Sequence, residues 1–292
     1  MISYRSIQEL VQAAVSANTD IGTVVLHQQA AEQGRSTDEL YRQMQENLQV
    51  MRESVEAGLR NRRRSPSGLS GGDAHKLLEA VQQDRTIGGS LLGKALARAM
   101  AVAEVNASMG RIVAAPTAGS CGILPAALLT VMDERNIPEE RAILGLFTAG
   151  GVGLVISKQA TISGAQGGCQ AECGSAAAMA AAAIVEMVGG TPQQAAHACA
   201  IALKNVLGLV CDPVAGLVEV PCIKRNAAGV ANALVAADLA LAGVESAIPA
   251  DEVIEAMRSV GSLMSSALKE TAEGGLAATA TARRLARQLL NC

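Results

Sequence analysis

Between residues 91 and 267 the chain is rich in Ala and Gly, with long apolar segments of helical length separated by short glycine or proline turns. Apolar helical patterns run over 91–107, 125–132, 175–188, 192–206, 229–242 and 251–267. The period-2 alternation of a half-buried strand is almost absent, and β-branched residues do not cluster. Alanine is the strongest helix former, and with glycine it lets helix axes approach closely. With one Phe, two Tyr and no Trp, no large rings are at hand to fill gaps. The expected fold is therefore all-α, with a buried central layer of tightly packed helices.

The first 64 residues differ: they are polar, amphipathic and poor in glycine. Ser6 with Glu9 suggests a capping box, Gly34 stops one periodic segment, and Thr37 with Asp38 and Glu39 opens a longer one that fades near Gly58. The stretch SPSGLSGGD at 65–73 marks a linker or functional loop. The expected division is a helical N-terminal segment, 1–64, packed on a helical body, 65–292.

Twenty-four basic against 27 acidic residues give a net charge of −3, without the single-sign field that nucleic acid requires. The local exception, RNRRR at 60–64, reads as a solvated turn. No charged segment followed by an apolar run opens the chain, so a cytoplasmic location is expected. The apolar stretches 112–132, 142–157 and 176–185 are interrupted or too short, so no membrane span is expected. Seven cysteines, an odd number, are not the framework of a disulfide protein in a reducing compartment. Metal ligation, catalysis and packing stay open for them.

No phosphate loop is present: Gly150, Gly151 and Gly153 lack the dinucleotide spacing, and Gly-Lys-Ser/Thr does not occur. Lys158 has no phosphate-binding α/β frame around it of the kind a pyridoxal-phosphate enzyme needs. The polar chemistry gathers instead in three stretches. The first is APTAGSCG at 115–122, where Pro116 breaks the chain and small residues leave backbone N–H groups available for a carboxylate ahead of the next helix. The second, 157–175, holds Lys158, Cys169, Glu172 and Cys173, and the third, 210–227, holds Cys211, Cys222, Lys224, Arg225 and Asn226. Zinc spacing fails, because there is no Cys-x2-Cys and only three histidines, His27, His75 and His197, exist. From the residues alone, the cysteines read equally as metal ligands or as buried structural thiols.

Four stretches then point one way. APTAGSCG, TISGAQGGCQAECG, CDPVAGLVEVPCIKRNA and the terminal cysteine resemble the catalytic α chain of the iron–sulfur-dependent bacterial L-serine dehydratases, over most of the chain. The separations, 42 residues from Cys169 to Cys211 and 11 from Cys211 to Cys222, match that family's cluster-binding trio. The resemblance implies a helical catalytic domain whose 4Fe-4S cluster is bound by loops between buried helices. Its ligands would be Cys169, Cys211 and Cys222, with Cys292 returning to cap the open iron until substrate arrives. An open iron is a Lewis acid that activates the hydroxyl of L-serine as a leaving group, and elimination then gives pyruvate and ammonia.

For the substrate carboxylate the expected donors are Thr117, Gly119 and Ser120, with Asn226 beside them. Lys158, Arg225 and His75 are the candidate catalytic residues, and no residue is singled out as the base. Cys121, Cys173 and Cys199 read as packing; family members often carry Val at the position of Cys173. Single-chain relatives have an extra N-terminal domain, so this chain resembles the two-chain form, completed by a β chain that can carry part of the pocket. A cysteine desulfidase, with the same cluster but sulfide as leaving group, and a cluster-based redox or iron sensor are the alternatives.

Overall fold

The computed structural model describes residues 4–290. Among them are thirteen α-helices: α1 Ile7–Ser16, α2 Ile21–Gln33, α3 Thr37–Arg60, α4 Asp73–Gln82, α5 Gly89–Ala107, α6 Ile123–Arg135, α7 Glu139–Gln159, α8 Gly164–Gly167, α9 Ser175–Met187, α10 Pro192–Lys204, α11 Cys222–Leu241, α12 Ala250–Leu263 and α13 Ala280–Leu290. Among the described residues the only β pairing is one isolated bridge, between Cys211 and Lys269. The fold is all-α, as the alanine-rich pattern predicts.

The organising element is α9. Every one of its residues from Ser175 to Met187 is buried, and α6, α7, α10 and α11 surround it. Alanine makes this position tenable: a helix without long side chains can be enclosed by four others at close axial distance. Glycines do the same elsewhere. A Cβ on Gly122 would lie 2.1 Å from the Ala99 carbonyl oxygen, and one on Gly58 2.2 Å from that of Ala101. One continuous apolar cluster runs from Ile7 and Leu10 of α1 through α9 to Met257 of α12.

The structure corrects one element boundary and places the glycine run of the apolar stretch 142–157. The third polar stretch is not a loop to its end, because α11 begins at Cys222 with Pro221 as its cap, which puts Arg225 and Asn226 on a helix. The glycines at 150–153 lie inside α7: Gly151 makes room for Val25, and Gly153 for Met179 of α9. By length and composition α7 could cross a membrane, but 67% of its most apolar window is buried inside the protein, which accounts for that composition.

Local side-chain caps set four of the helix starts among the described residues. Ser36 and Glu39 form a complete capping box at α3, as do Thr191 and Gln194 at α10. Ser6 caps α1 through Glu9 N–H, while the Glu9 carboxylate takes Arg5 N–H instead of closing the box. Gly34 ends α2 in the left-handed region at φ +62°. Two helices are capped from a distance. Buried Glu104 of α5 accepts the N–H groups of Gly72, Asp73 and Ala74 at 2.9–3.2 Å, at the start of α4. Buried Glu186 of α9 accepts those of Ile21 and Gly22, at the start of α2, together with the Thr148 hydroxyl. A carboxylate at a helix N-terminus meets both unpaired donors and the positive end of the helix dipole.

Candidate active site

The helix leading into α9 begins at Cys169, and residues Gln170–Gly174 wind it as one π turn, a distortion common at functional sites. Gln170 holds this turn in place. Its buried amide donates to Gly167 O and Met257 O and accepts Gly208 N–H, while its own N–H bonds Leu209 O. The stretches before Cys169 and before Cys211 are thereby tied together.

The sulfur atoms of Cys169 and Cys211 and a carboxylate oxygen of Glu172 all lie within 4.8 Å of one another. Cys169 and Cys211 are almost fully buried. The Cys173 and Cys211 thiols both donate to the Cys169 sulfur, with the Arg225 guanidinium beside them, and together these hold Cys169 well below the ordinary thiol range. By the same contact Cys173 and Cys211 are pushed up. Burial, followed by the negative charge of Cys169, raises Cys222 to about 12, so Cys222 lies within electrostatic reach of that group. Arg225 is held by three bonds: Nη1 donates to Cys169 Sγ at 3.5 Å and to Val210 O at 2.8 Å, and Nη2 to buried Asp212 at 2.8 Å.

Glu172 bridges this group to the APTAGSCG loop. The Thr117 hydroxyl donates to Glu172 Oε1 and pairs with Ser120 Oγ at 3.1 Å. Gly119 packs directly on the carboxylate, where a Cβ would stand 2.6 Å from Oε1. Burial raises Glu172 to about 7, against the lowering effect of the Thr117 hydrogen bond. The side chain can therefore change protonation state near neutral pH.

Of the residues expected from sequence, the structure brings together Cys169, Cys211, Arg225, Thr117, Gly119 and Ser120. Asn226 joins them, with its amide engaged by backbone: it donates to Gly119 O at 2.7 Å and Cys222 O at 2.9 Å, and accepts Gly122 N–H at 2.8 Å. It fastens the APTAGSCG loop to the start of α11. His75 faces elsewhere, one ring nitrogen 2.9 Å from Leu59 O and the other 3.1 Å from Glu79. Lys158 is exposed at the end of α7, where Nζ donates to Tyr4 O at 3.4 Å. Cys121 and Cys199 are fully buried and raised to about 12 by that burial. Cys292 lies outside the described residues.

Sequence reasoning named Glu172 without giving it a role and passed over Asp212, Gln170 and Glu219. The available signal was their place inside cysteine-bearing stretches, one to three residues from a thiol. Buried Glu219 accepts the hydroxyls of Ser65, Ser67 and Ser70, which fastens the SPSGLSGGD loop to the segment leading into Cys222. A groove of about 750 Å³ between α1 and α2, lined by residues such as Tyr4, Val24, His27 and Glu32, shares none with the cysteine group.

The donor set fits an iron–sulfur group. Two buried thiols, one held as thiolate, and a third within reach of its charge are the soft ligands such clusters use.

Comparison with known proteins agrees. Residues 16–277 match the family model described as serine dehydratase alpha chain. A probable L-serine dehydratase alpha chain from Bacillus subtilis is 51% identical over 98% of this chain and 95% of its own length. The L-serine dehydratase alpha chain of Peptoniphilus asaccharolyticus is 46% identical over 97% of each chain. An L-serine dehydratase of Streptomyces coelicolor is 38% identical over 94% of this chain but only 60% of its own, longer length. With a family model matched across nearly its whole length and full-length relatives at about half identity, the chain belongs to the serine dehydratase alpha chain family.

Proposed function

We propose that the chain is the α subunit of an L-serine ammonia-lyase, converting L-serine to pyruvate and ammonia in the cytoplasm together with a separate β chain. The observation that carries this is the meeting of Cys169, Cys211 and Glu172 beside the Thr117–Gly119 loop, in a chain whose relatives are named for that reaction. Cys169, Cys211 and Cys222 would hold a 4Fe-4S cluster, with Cys292 as the displaceable fourth ligand. When bound, the cluster would supply a Lewis acid for the serine hydroxyl.

The protein's own groups divide the remaining work. The APTAGSCG loop receives the substrate carboxylate through the backbone N–H groups at Thr117 and Gly119, in a loop that Asn226 holds in register. Glu172 takes the α-proton. Its Oε1 is anchored by Thr117, while its Oε2 faces Gly164 and Cys211. Burial puts its proton affinity near the working pH, where a general base is most effective. Arg225, with Asp212 behind it, stabilises the Cys169 thiolate. Lys158 and His75, bonded to Tyr4 and to Leu59 and Glu79, are given no part.

The test is anaerobic iron and sulfide reconstitution of the chain co-expressed with its β chain, followed by assay with L-serine. Pyruvate and ammonia in equal amounts are expected. A loaded, iron-containing complex that yields neither overturns the proposal.

A further inference from the structure

After α12 the chain returns to the cysteine site. Cys211 N–H donates to Leu268 O at 2.8 Å, and Glu270 N–H donates to Cys211 O at 2.7 Å, the two bonds that make the isolated bridge with Lys269. The clamp sets Glu270 in the left-handed region, at φ +65°, which a non-glycine residue seldom adopts. Further along, Leu276 N–H bonds Asp212 at 2.7 Å, so the segment is fixed on both sides of Glu270.

The clamp aims a carboxylate at the site. A Cβ on Gly164 would lie 3.1 Å from Cys211 Sγ, 3.3 Å from Glu172 Oε2 and 3.5 Å from Glu270 Oε2. These three groups share one small open position, which the missing side chain of Gly164 leaves clear. Among the described residues no cation pairs with Glu270, and the nearby guanidinium of Arg225 is already committed to Cys169, Val210 and Asp212. Two carboxylates, neither paired with a cation among the described residues, make this end of the site complementary to a positive group. An amino acid presents one such group, an ammonium with three N–H donors.

We propose that Glu270 binds the α-ammonium of the amino-acid substrate and thereby selects amino acids over the corresponding hydroxy acids. This rests on the reading that the substrate is L-serine. The ammonium sits at Glu270 and the carboxylate at the Thr117–Gly119 loop, with Glu172 between them facing the α-carbon.

The experiment uses the reconstituted complex with its β chain and compares wild type with Glu270→Gln and Glu270→Asp. Steady-state KM and kcat are measured for L-serine. Calorimetry measures binding of two non-reacting ligands: L-alanine, which keeps the ammonium, and 3-hydroxypropionate, which lacks it. Glu270→Gln should raise the KM for L-serine and weaken L-alanine by roughly tenfold to a hundredfold, the worth of one charged hydrogen bond. It should leave 3-hydroxypropionate unchanged, and Glu270→Asp should recover part of the loss. A merely structural role would weaken both ligands by the same factor, and that result overturns the proposal. So does a Glu270→Gln complex that releases pyruvate with unchanged KM, which leaves the lyase activity standing. Conversely, a wild type that binds L-alanine through Glu270 but makes no pyruvate overturns the activity and keeps the ammonium subsite.

Discussion

Glu172 shows how much of this site is set by a single residue's surroundings. A glutamate of ordinary acidity would be a weak base at neutral pH; burial raises this one to about 7 while Thr117 fixes its direction. Glu172→Gln keeps the size and the hydrogen bond but cannot take a proton. It should lower kcat on L-serine about 10²- to 10⁴-fold with iron content unchanged, as steady-state kinetics on the reconstituted complex will measure. The cysteines divide on the same principle. Only a thiolate is a good nucleophile, and burial holds Cys121 and Cys199 at about 12, whereas Cys169 is held as thiolate. Iodoacetamide on the native apo chain, read by mass spectrometry, should therefore leave Cys121 and Cys199 unmodified until denaturant is added.

Among the helices, two caps are supplied from a distance, by Glu104 and Glu186. Glu186 joins α9 to the start of α2 through two hydrogen bonds and to Thr148 of α7 through a third. Replacing it with Gln puts an N–H donor where an acceptor is needed and should cost about 1–3 kcal/mol. The pH dependence has a definite sign. Burial holds Glu186 above its ordinary 4.5, so the folded chain keeps this proton at pH values where the unfolded chain has released it. As pH rises from about 4.5 through the raised value, wild-type stability must fall relative to Glu186→Gln. Urea denaturation of both proteins from pH 4 to 8 should show the wild-type advantage shrinking, with a flat difference below the window. Close helix crossings are equally demanding: Gly122→Ala would drive a Cβ to within 2.1 Å of Ala99 O, displacing α6 from α5.

At the scale of the whole molecule, the core and the site are one mechanical unit, because α9 continues without a break into the π turn that begins beside Cys169. Ala178 is fully buried in α9. Ala178→Leu adds volume where nothing can yield, and should lower stability by about 1–3 kcal/mol, seen as a lower midpoint in thermal melts. Iron loading should fall with it. The same unity holds on the other side of the site, where Glu219 gathers three serine hydroxyls from the SPSGLSGGD loop. What looks like a flexible linker in sequence is fastened to the segment that carries Cys222.

The sequence by itself determined the all-α class, the positions of α5, α6, α9 and α10 to within a few residues, and the three stretches around which the site forms. These rest on local physics: helical periodicity, capping pairs such as Ser36 with Glu39, and the breaks made by proline and glycine. The tertiary structure alone decided that Gly151 and Gly153 belong inside a helix, since their worth is the absent Cβ opposite Val25 and Met179, and nothing local reports it. It also decided that Glu172 meets Thr117, that Asn226 serves the backbone of Gly119 and Gly122, and that Glu270 returns to Cys211. Each of these contacts joins residues dozens of positions apart, and a single sequence carries no period or spacing that records which buried polar groups will satisfy one another.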